Sequence, residues 1–185
     1  MSGASDRDER GFTLVEMLVV VGIIAVLAAV ALPLLGRDST SAAFEAQVRR
    51  IADNLRRMRV AAISTREDRA LTVIDAQTYE LQRVVDWNGS KVASRIQRVR
   101  LPAQVVIQGV ATCAAAPGVT GCSAPTSVAS ARIMFSSVSD VSTSTGTLDA
   151  TPRPGTIFLR SADGKLKARV IVYQATGYSR QYEGW

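Results

Sequence analysis

GFTLVEMLVVVGIIAVLAAVALPLL, residues 11–35, decides the fold. The stretch is apolar from Phe12 onward, and Glu16 is its only charged residue. A run of about 20 apolar residues is long enough to cross a bilayer as a helix. Gly22 and Pro33 are its weak points. Pro33 removes one backbone donor and clashes with the carbonyl four residues earlier, so a kink or a locally melted turn is expected there. A lone carboxylate at the centre of a membrane helix costs about 2.5–3.5 kcal/mol, and less near the interface. Something must compensate Glu16.

Three readings of this segment compete. A secretory signal would use Ala29-Val30-Ala31 as its cleavage site. Its apolar region would then be too long and would contain Glu16, with Pro33 just past the cut. The preceding MSGASDRDER also carries two Arg against three acids, net −1, so it is not a basic leader. A plain single-span anchor is the second reading. The third takes Gly11-Phe-Thr-Leu-Val-Glu16 together, because glycine, phenylalanine, glutamate and an unbroken apolar run coincide at fixed offsets. This motif resembles the processing site of type IV pilins and pseudopilins. The acidic leader departs from the usual basic one, and the excess of positive charge on the cytoplasmic side is not met.

The resemblance implies that a prepilin peptidase cuts between Gly11 and Phe12 and methylates Phe12, leaving 185 − 11 = 174 residues. The new amine at Phe12 would be cationic. Glu16, one turn away or on an adjacent subunit, would pair with it, strongly so in apolar surroundings. In the family this pairing sets the stagger of subunits entering a filament, which makes Glu16 and Pro33 the assembly residues. The implied partners are other minor and major pilins or pseudopilins, the prepilin peptidase, inner-membrane lipid and the inner-membrane assembly platform. The implied location is the bacterial inner membrane, single-pass, with the C-terminal domain in the periplasm until the subunit enters a pilus or pseudopilus.

Beyond the apolar run, Arg37-Asp-Ser-Thr-Ser41 marks a water interface and suits the cap of a restarted helix. Phe44, Val48, Ile51, Leu55, Met58 and Ala62 then recur at spacings of 4, 3, 4, 3 and 4, one stripe of a helix. Unbroken helix over 13–64 would be about 80 Å long. The stripe suits packing on the protein's own sheet better than a coiled coil, since it lasts fewer than three heptads. Arg49, Arg50, Arg56, Arg57 and Arg59 lie off the stripe and read most simply as a solvated face, with a surface for nucleic acid or acidic neighbours as the alternative.

From residue 69 the period shortens. Strands are expected at Arg69–Asp75, Thr78–Val85, Arg95–Leu101, Val105–Gly109, Arg132–Ser136, Thr156–Arg160, Leu166–Tyr173 and Tyr178–Tyr182. Asp75-Ala-Gln77, Asn88-Gly89 and Asp163-Gly164 read as turns. Cys113–Ser127 and the Ser/Thr-rich Ser136–Pro154 read as loops, the latter a mobile one. The fold class is therefore α+β, a long N-terminal helix whose first half is transmembrane, packed on a C-terminal antiparallel sheet domain. The expected divisions are a leader at 1–11, a membrane and filament-core helix at 12–36, its amphipathic second half at 37–64, and a β-rich periplasmic domain at 65–185.

Composition narrows the chemistry. The chain has 22 Lys and Arg against 16 Asp and Glu, net +6, and no histidine. Histidine-based proton transfer and imidazole metal sites are excluded. Gly118-Val-Thr-Gly121 lacks the following lysine of a phosphate loop. No cofactor is implied, no metal site is apparent, and an enzyme is not expected. Cys113 and Cys122 stand nine positions apart. In an exported domain they read most simply as one disulfide closing a surface loop, with two free thiols as the alternative.

The C-terminal third carries Arg132-Ile-Met-Phe-Ser136, Gly155-Thr-Ile-Phe-Leu159, Ala168-Arg-Val-Ile-Val172 and Thr176-Gly177. These resemble the GspH/FimT group of minor pilins and pseudopilins. Some members end in T-G-R-x-R, a pair of arginines linked to DNA capture in natural transformation. Here the segment is Thr176-Gly-Tyr-Ser-Arg180, with one arginine missing. Lys165, Lys167, Arg169 and Arg180, with Arg160 and the faces of Tyr173, Tyr178 and Tyr182, remain candidates for nucleic-acid contact or plain surface. Many major pseudopilins carry an acidic calcium loop near the C-terminus. Between Gln174 and Trp185 the sole acid is Glu183, which does not make a calcium cage. The implied function is a minor subunit that initiates or caps a type IV pilus or type II secretion pseudopilus. The alternative is a DNA-binding minor pilin, or one that captures an exported substrate.

Overall fold

The computed structural model describes residues 13–87, 90–125, 131–138, 140–145 and 151–185, and within them the side chains other than those of 31–39 and 87. The leader at 1–11, Phe12 and the Asn88-Gly89 turn therefore lie outside the described residues. Helix α1 runs from Leu14 to Thr65. Among the described residues nine strands follow: β1 (Asp68–Asp75), β2 (Thr78–Trp87), β3 (Ser90–Arg100), β4 (Val105–Ala111), β5 (Ala131–Phe135), β6 (Val141–Thr145), β7 (Gly155–Ser161), β8 (Lys167–Val172) and β9 (Ser179–Glu183). The chain divides into two units, Met1–Thr40 and Ser41–Trp185.

In the first unit helix begins at Leu14 and is unbroken through Thr40. Neither a melted turn at Pro33 nor a restart at Ser39-Thr40 occurs. A proline interrupts the backbone ladder at one point, and strong helix formers on both sides carry the helix across it.

In the second unit the six stripe residues Phe44, Val48, Ile51, Leu55, Met58 and Ala62 are each at most 5% exposed. They join the inner residues of the strands in one core. The stripe thus packs on the protein's own strands. Burying each large side chain stabilises by about 1.5–3 kcal/mol, an upper figure because the unfolded chain already hides some of this surface.

The expected single sheet is two antiparallel sheets. One has the order β3-β2-β1-β5-β6 and the other β4-β7-β8-β9. Leu71, Val73, Tyr79, Leu81, Ile133 and Phe135 of the first meet Ile107, Ile157, Leu159, Val170 and Val172 of the second in the core. Thr143 of β6 presses on Gly155 at the start of β7 so closely that a side chain at Gly155 would collide with Thr143 Oγ1.

Two further expectations need correction. Ser136–Pro154 is not simply a loop, because it contains β6, paired along its length with β5. Val141 and Thr143 are buried there, and β-branched Thr favours a strand although Ser and Thr together read as loop. β3 begins at Ser90 rather than Arg95 and carries a bulge where Leu81 and Gln82 face Gln97 and Arg95, leaving Ile96 unpaired. Bulge and charges together blunt this edge strand.

The outer face of the first sheet carries a polar network absent from the sequence expectations. Arg98 donates to Glu80 at 2.8 Å, Gln82 to Glu80 at 2.9 Å, Thr72 to Gln82 at 2.8 Å, and Arg132 to Thr72 at 2.9 Å. Burial alone pushes the Glu80 carboxyl up, but the bonds from Arg98 and Gln82 and the charge of Arg98 outweigh it and hold the group below the usual range.

Candidate functional site

The N-terminal end of α1 is built by Thr13 and Glu16. The Thr13 hydroxyl accepts from the Glu16 backbone N–H at 3.3 Å, while the Glu16 carboxylate accepts from the Thr13 N–H and hydroxyl at 3.4 Å each. This is the reciprocal capping box of a T-x-x-E sequence, here with long bonds. Thr13 is the partner that the sequence expectations missed, although the spacing displays it. The fold-back turns the Glu16 carboxylate toward the residue that follows Phe12. Negative charge at that end also suits the helix dipole.

The surface behind Glu16 is unusual. Leu14, Val15, Met17, Leu18, Val19, Val20, Val21, Ile23, Ile24, Val26, Leu27 and Val30 are each 47–81% exposed. Their positions run round every face of the helix, and a helix apolar on all sides is normally buried in protein or lipid. Among the described residues no helix is long and apolar enough to cross a membrane. The described side chains of this half end at Val30, and the sequence continues apolar to Leu35. For Pro33 only the backbone is described, and it lies within α1.

The basic C-terminal residues share the second sheet. Arg169 of β8 stands opposite Tyr182 of β9, and Ile171 opposite Arg180. Arg169 and Arg180 both stack on Tyr182, at 5.8 and 5.1 Å from its ring centre. Lys167 lies 4.2 Å from the centre of the Trp185 ring, which meets Phe158 edge-on at 5.6 Å. Arg160 donates to Gln108 at 2.8 Å. Lys165 stands apart in the β7–β8 turn, mostly exposed, 3.8 Å from Asp163. The Tyr173 and Tyr182 hydroxyls are 3.3 Å apart, and that contact, with burial, pushes Tyr173 up. Lys167, Arg169 and Arg180 are thus gathered, but the rings of Tyr182 and Trp185 already hold cations of the same chain. Trp185 escaped notice in the sequence because it lies far along the chain from Lys167.

Thr176 and Gly177 shape the β8–β9 turn. Gly177 has φ 60°, donates its N–H to the Tyr173 carbonyl at 2.8 Å, and lies so close to Arg59 that a Cβ would be 3.0 Å from Cδ. Only glycine takes that backbone without strain. Cys113 and Cys122 are joined by a disulfide. The loop they close is tied to the second sheet through Thr156, which donates to the Cys113 carbonyl at 2.6 Å and accepts from the Ala115 N–H at 3.0 Å. Among the described residues there is no cluster of metal-ligating side chains.

Residues 6–32 match the prokaryotic N-terminal methylation motif. A solved structure with a similar fold is the minor pseudopilin EpsH from the type 2 secretion system of Vibrio cholerae. The two are 14% identical, the likeness covers 75% of this chain and 94% of that one, and the TM-score is 0.50. No curated protein matches the sequence.

Proposed function

We propose that this chain is a minor pilin or pseudopilin, a structural and assembly subunit that initiates or caps a type II secretion pseudopilus or a type IV pilus. The observation that carries this is a helix exposing apolar side chains on every face, with Glu16 its only charged residue through Val30. Such a surface far exceeds the few hundred Å² of apolar patch a soluble monomer tolerates. It requires an external partner, first lipid and then the helices of other subunits. The matched methylation motif supports cleavage between Gly11 and Phe12 and methylation of Phe12. Residues 12–36 then form the membrane and filament-core segment, 37–64 the amphipathic half, and 65–185 the periplasmic domain. The similar structure is described as a minor pseudopilin of a secretion system, which favours the pseudopilus.

Leaving the membrane is tolerable for Glu16 only if its charge is satisfied throughout. The Phe12 amine, created by the cut, supplies the counter-charge, and the fold-back onto Thr13 already brings the carboxylate close to that end of the chain. Glu16→Ala should leave processing intact and abolish cross-linking into the filament. Normal incorporation of the variant would refute the role.

A second reading, DNA contact through Lys165, Lys167, Arg169 and Arg180, is favoured by the gathering of the last three beside Tyr182 and Trp185. Stacking by the protein's own cations leaves fewer free ring faces for bases. The test is DNA binding by the detergent-solubilised chain over a salt series. Phosphate contacts require an affinity that falls steeply as salt rises, and absence of binding at low ionic strength removes this reading.

A further inference from the structure

We propose that, in the membrane-held subunit, the end of the domain carrying Lys165, Lys167 and Trp185 rests on the lipid headgroup surface. The proposal depends on the membrane reading above and adds which surface of the domain meets the bilayer.

Chain reach comes first. A groove of about 450 Å³ is lined by Ser41, Phe44 and Val48 of α1 together with Lys165, Lys167 and Gly184. The turn bearing Lys165 and the residue preceding Trp185 are therefore neighbours of Ser41. Ser41 follows Leu35, the last residue of the apolar run, by six positions. Six residues span at most about 22 Å in any conformation. This end of the domain therefore cannot lie far from the place where the apolar run leaves lipid.

Side-chain chemistry comes second. Trp185 is 36% exposed although Phe158 and Lys167 cover it and its indole N–H points to the Leu159 carbonyl at 3.4 Å. A tryptophan with one flank apolar and one wet is the side chain that settles at a headgroup interface. Lys165 and Lys167 have long apolar stems that lie along such a surface while the ammonium stays in water.

Charge decides the kind of surface. Glu45 is paired with Arg49 at 3.1 Å, leaving Lys165 and Lys167 against Glu183 among the groove's charges, with Arg169 and Arg180 stacked on the groove's Tyr182. That balance is positive. The tryptophan should hold the contact on zwitterionic lipid, and anionic lipid should strengthen it.

The experiment uses the full chain reconstituted in phosphatidylcholine vesicles with or without bromine on the acyl chains near the headgroup. Trp87, the other tryptophan of the sequence, is replaced by Phe so that Trp185 reports alone. The expected result is a loss of Trp185 emission in brominated vesicles and protection from acrylamide in both. A control reporter, Val138→Trp with both native tryptophans changed to Phe, should keep its emission. Val138 is exposed, in the turn whose Ser137 N–H binds Asp68, three residues past the end of α1. Equal emission of Trp185 in both vesicles overturns the proposal, as does equal quenching of the two reporters. Quenching by added DNA in place of lipid also overturns it. Release of the chain by alkaline washing would instead refute the membrane reading, so the two failures are distinct.

Discussion

The two parts of α1 obey different rules. Between Leu14 and Val30 the apolar residues surround the helix and remain exposed. Between Phe44 and Ala62 they fall on one stripe and are almost fully covered by the protein's own sheets. Helix propensity is comparable in both, so propensity does not distinguish them. The arrangement of apolar residues does. A stripe can be satisfied by one sheet-lined core, whereas an all-round apolar surface needs a continuous surrounding medium or a bundle of other helices. The second part therefore belongs to the fold, and under the proposed function the first belongs to the assembly.

The widest expected gap between them is in truncation. Leu55→Ala, at a fully buried position, should destabilise the domain by about 2–5 kcal/mol, read by denaturant unfolding of the detergent-solubilised chain. Leu27→Ala, at a site 64% exposed, should leave the same unfolding curve within about 0.5 kcal/mol of the parent. Equal losses would abolish the distinction.

A smaller effect isolates the charges that belong to the fold. Glu80→Ala leaves Gln82 and Arg98 without their shared acceptor and should cost about 1–3 kcal/mol, at the lower end because Arg98 is more than half exposed. The Glu80 carboxyl lies below its unfolded value in the folded chain. Its contribution is thus complete above the unfolded value of about 4.3 and is lost as the pH falls through the folded one. The parent should lose stability below about pH 4 more steeply than Glu80→Ala, and parallel pH curves would show that the network contributes nothing.

The smallest effect lies at the end of α1. Arg66 holds a left-handed backbone, φ 55°, where glycine is the usual residue. Arg66→Gly should stabilise by up to about 1 kcal/mol, since relief of strain is partly offset by the greater freedom of glycine in the unfolded chain. A loss of stability would mean that the Arg66 side chain makes a stabilising contact.

What could be read in the sequence follows from how far each signal extends along the chain. The stripe from Phe44 to Ala62 repeats over five intervals, so it was legible. Most strands were legible because β-branched runs alternate with turn residues. β6 was not, since Val-Ser-Thr-Ser-Thr resembles a loop until β5 supplies a partner. The division into two sheets depends on which strands meet, and the Glu80 network on the register of β2 with β1 and β3, neither of which is a local property. At the candidate site, Glu16 stood out as a lone charge in an apolar run. Thr13 was legible by spacing but overlooked, and the pairing of Lys167 with Trp185 required the sheet to bring them together.

The central claim is that the chain start is remade to give Glu16 its counter-charge. Intact-mass measurement of the protein purified from native membranes tests this most directly. The account predicts a chain that lacks the first eleven residues, begins at Phe12 and carries one added methyl group. A mass that still includes the first eleven residues, or a cut beyond Ala31, would contradict it.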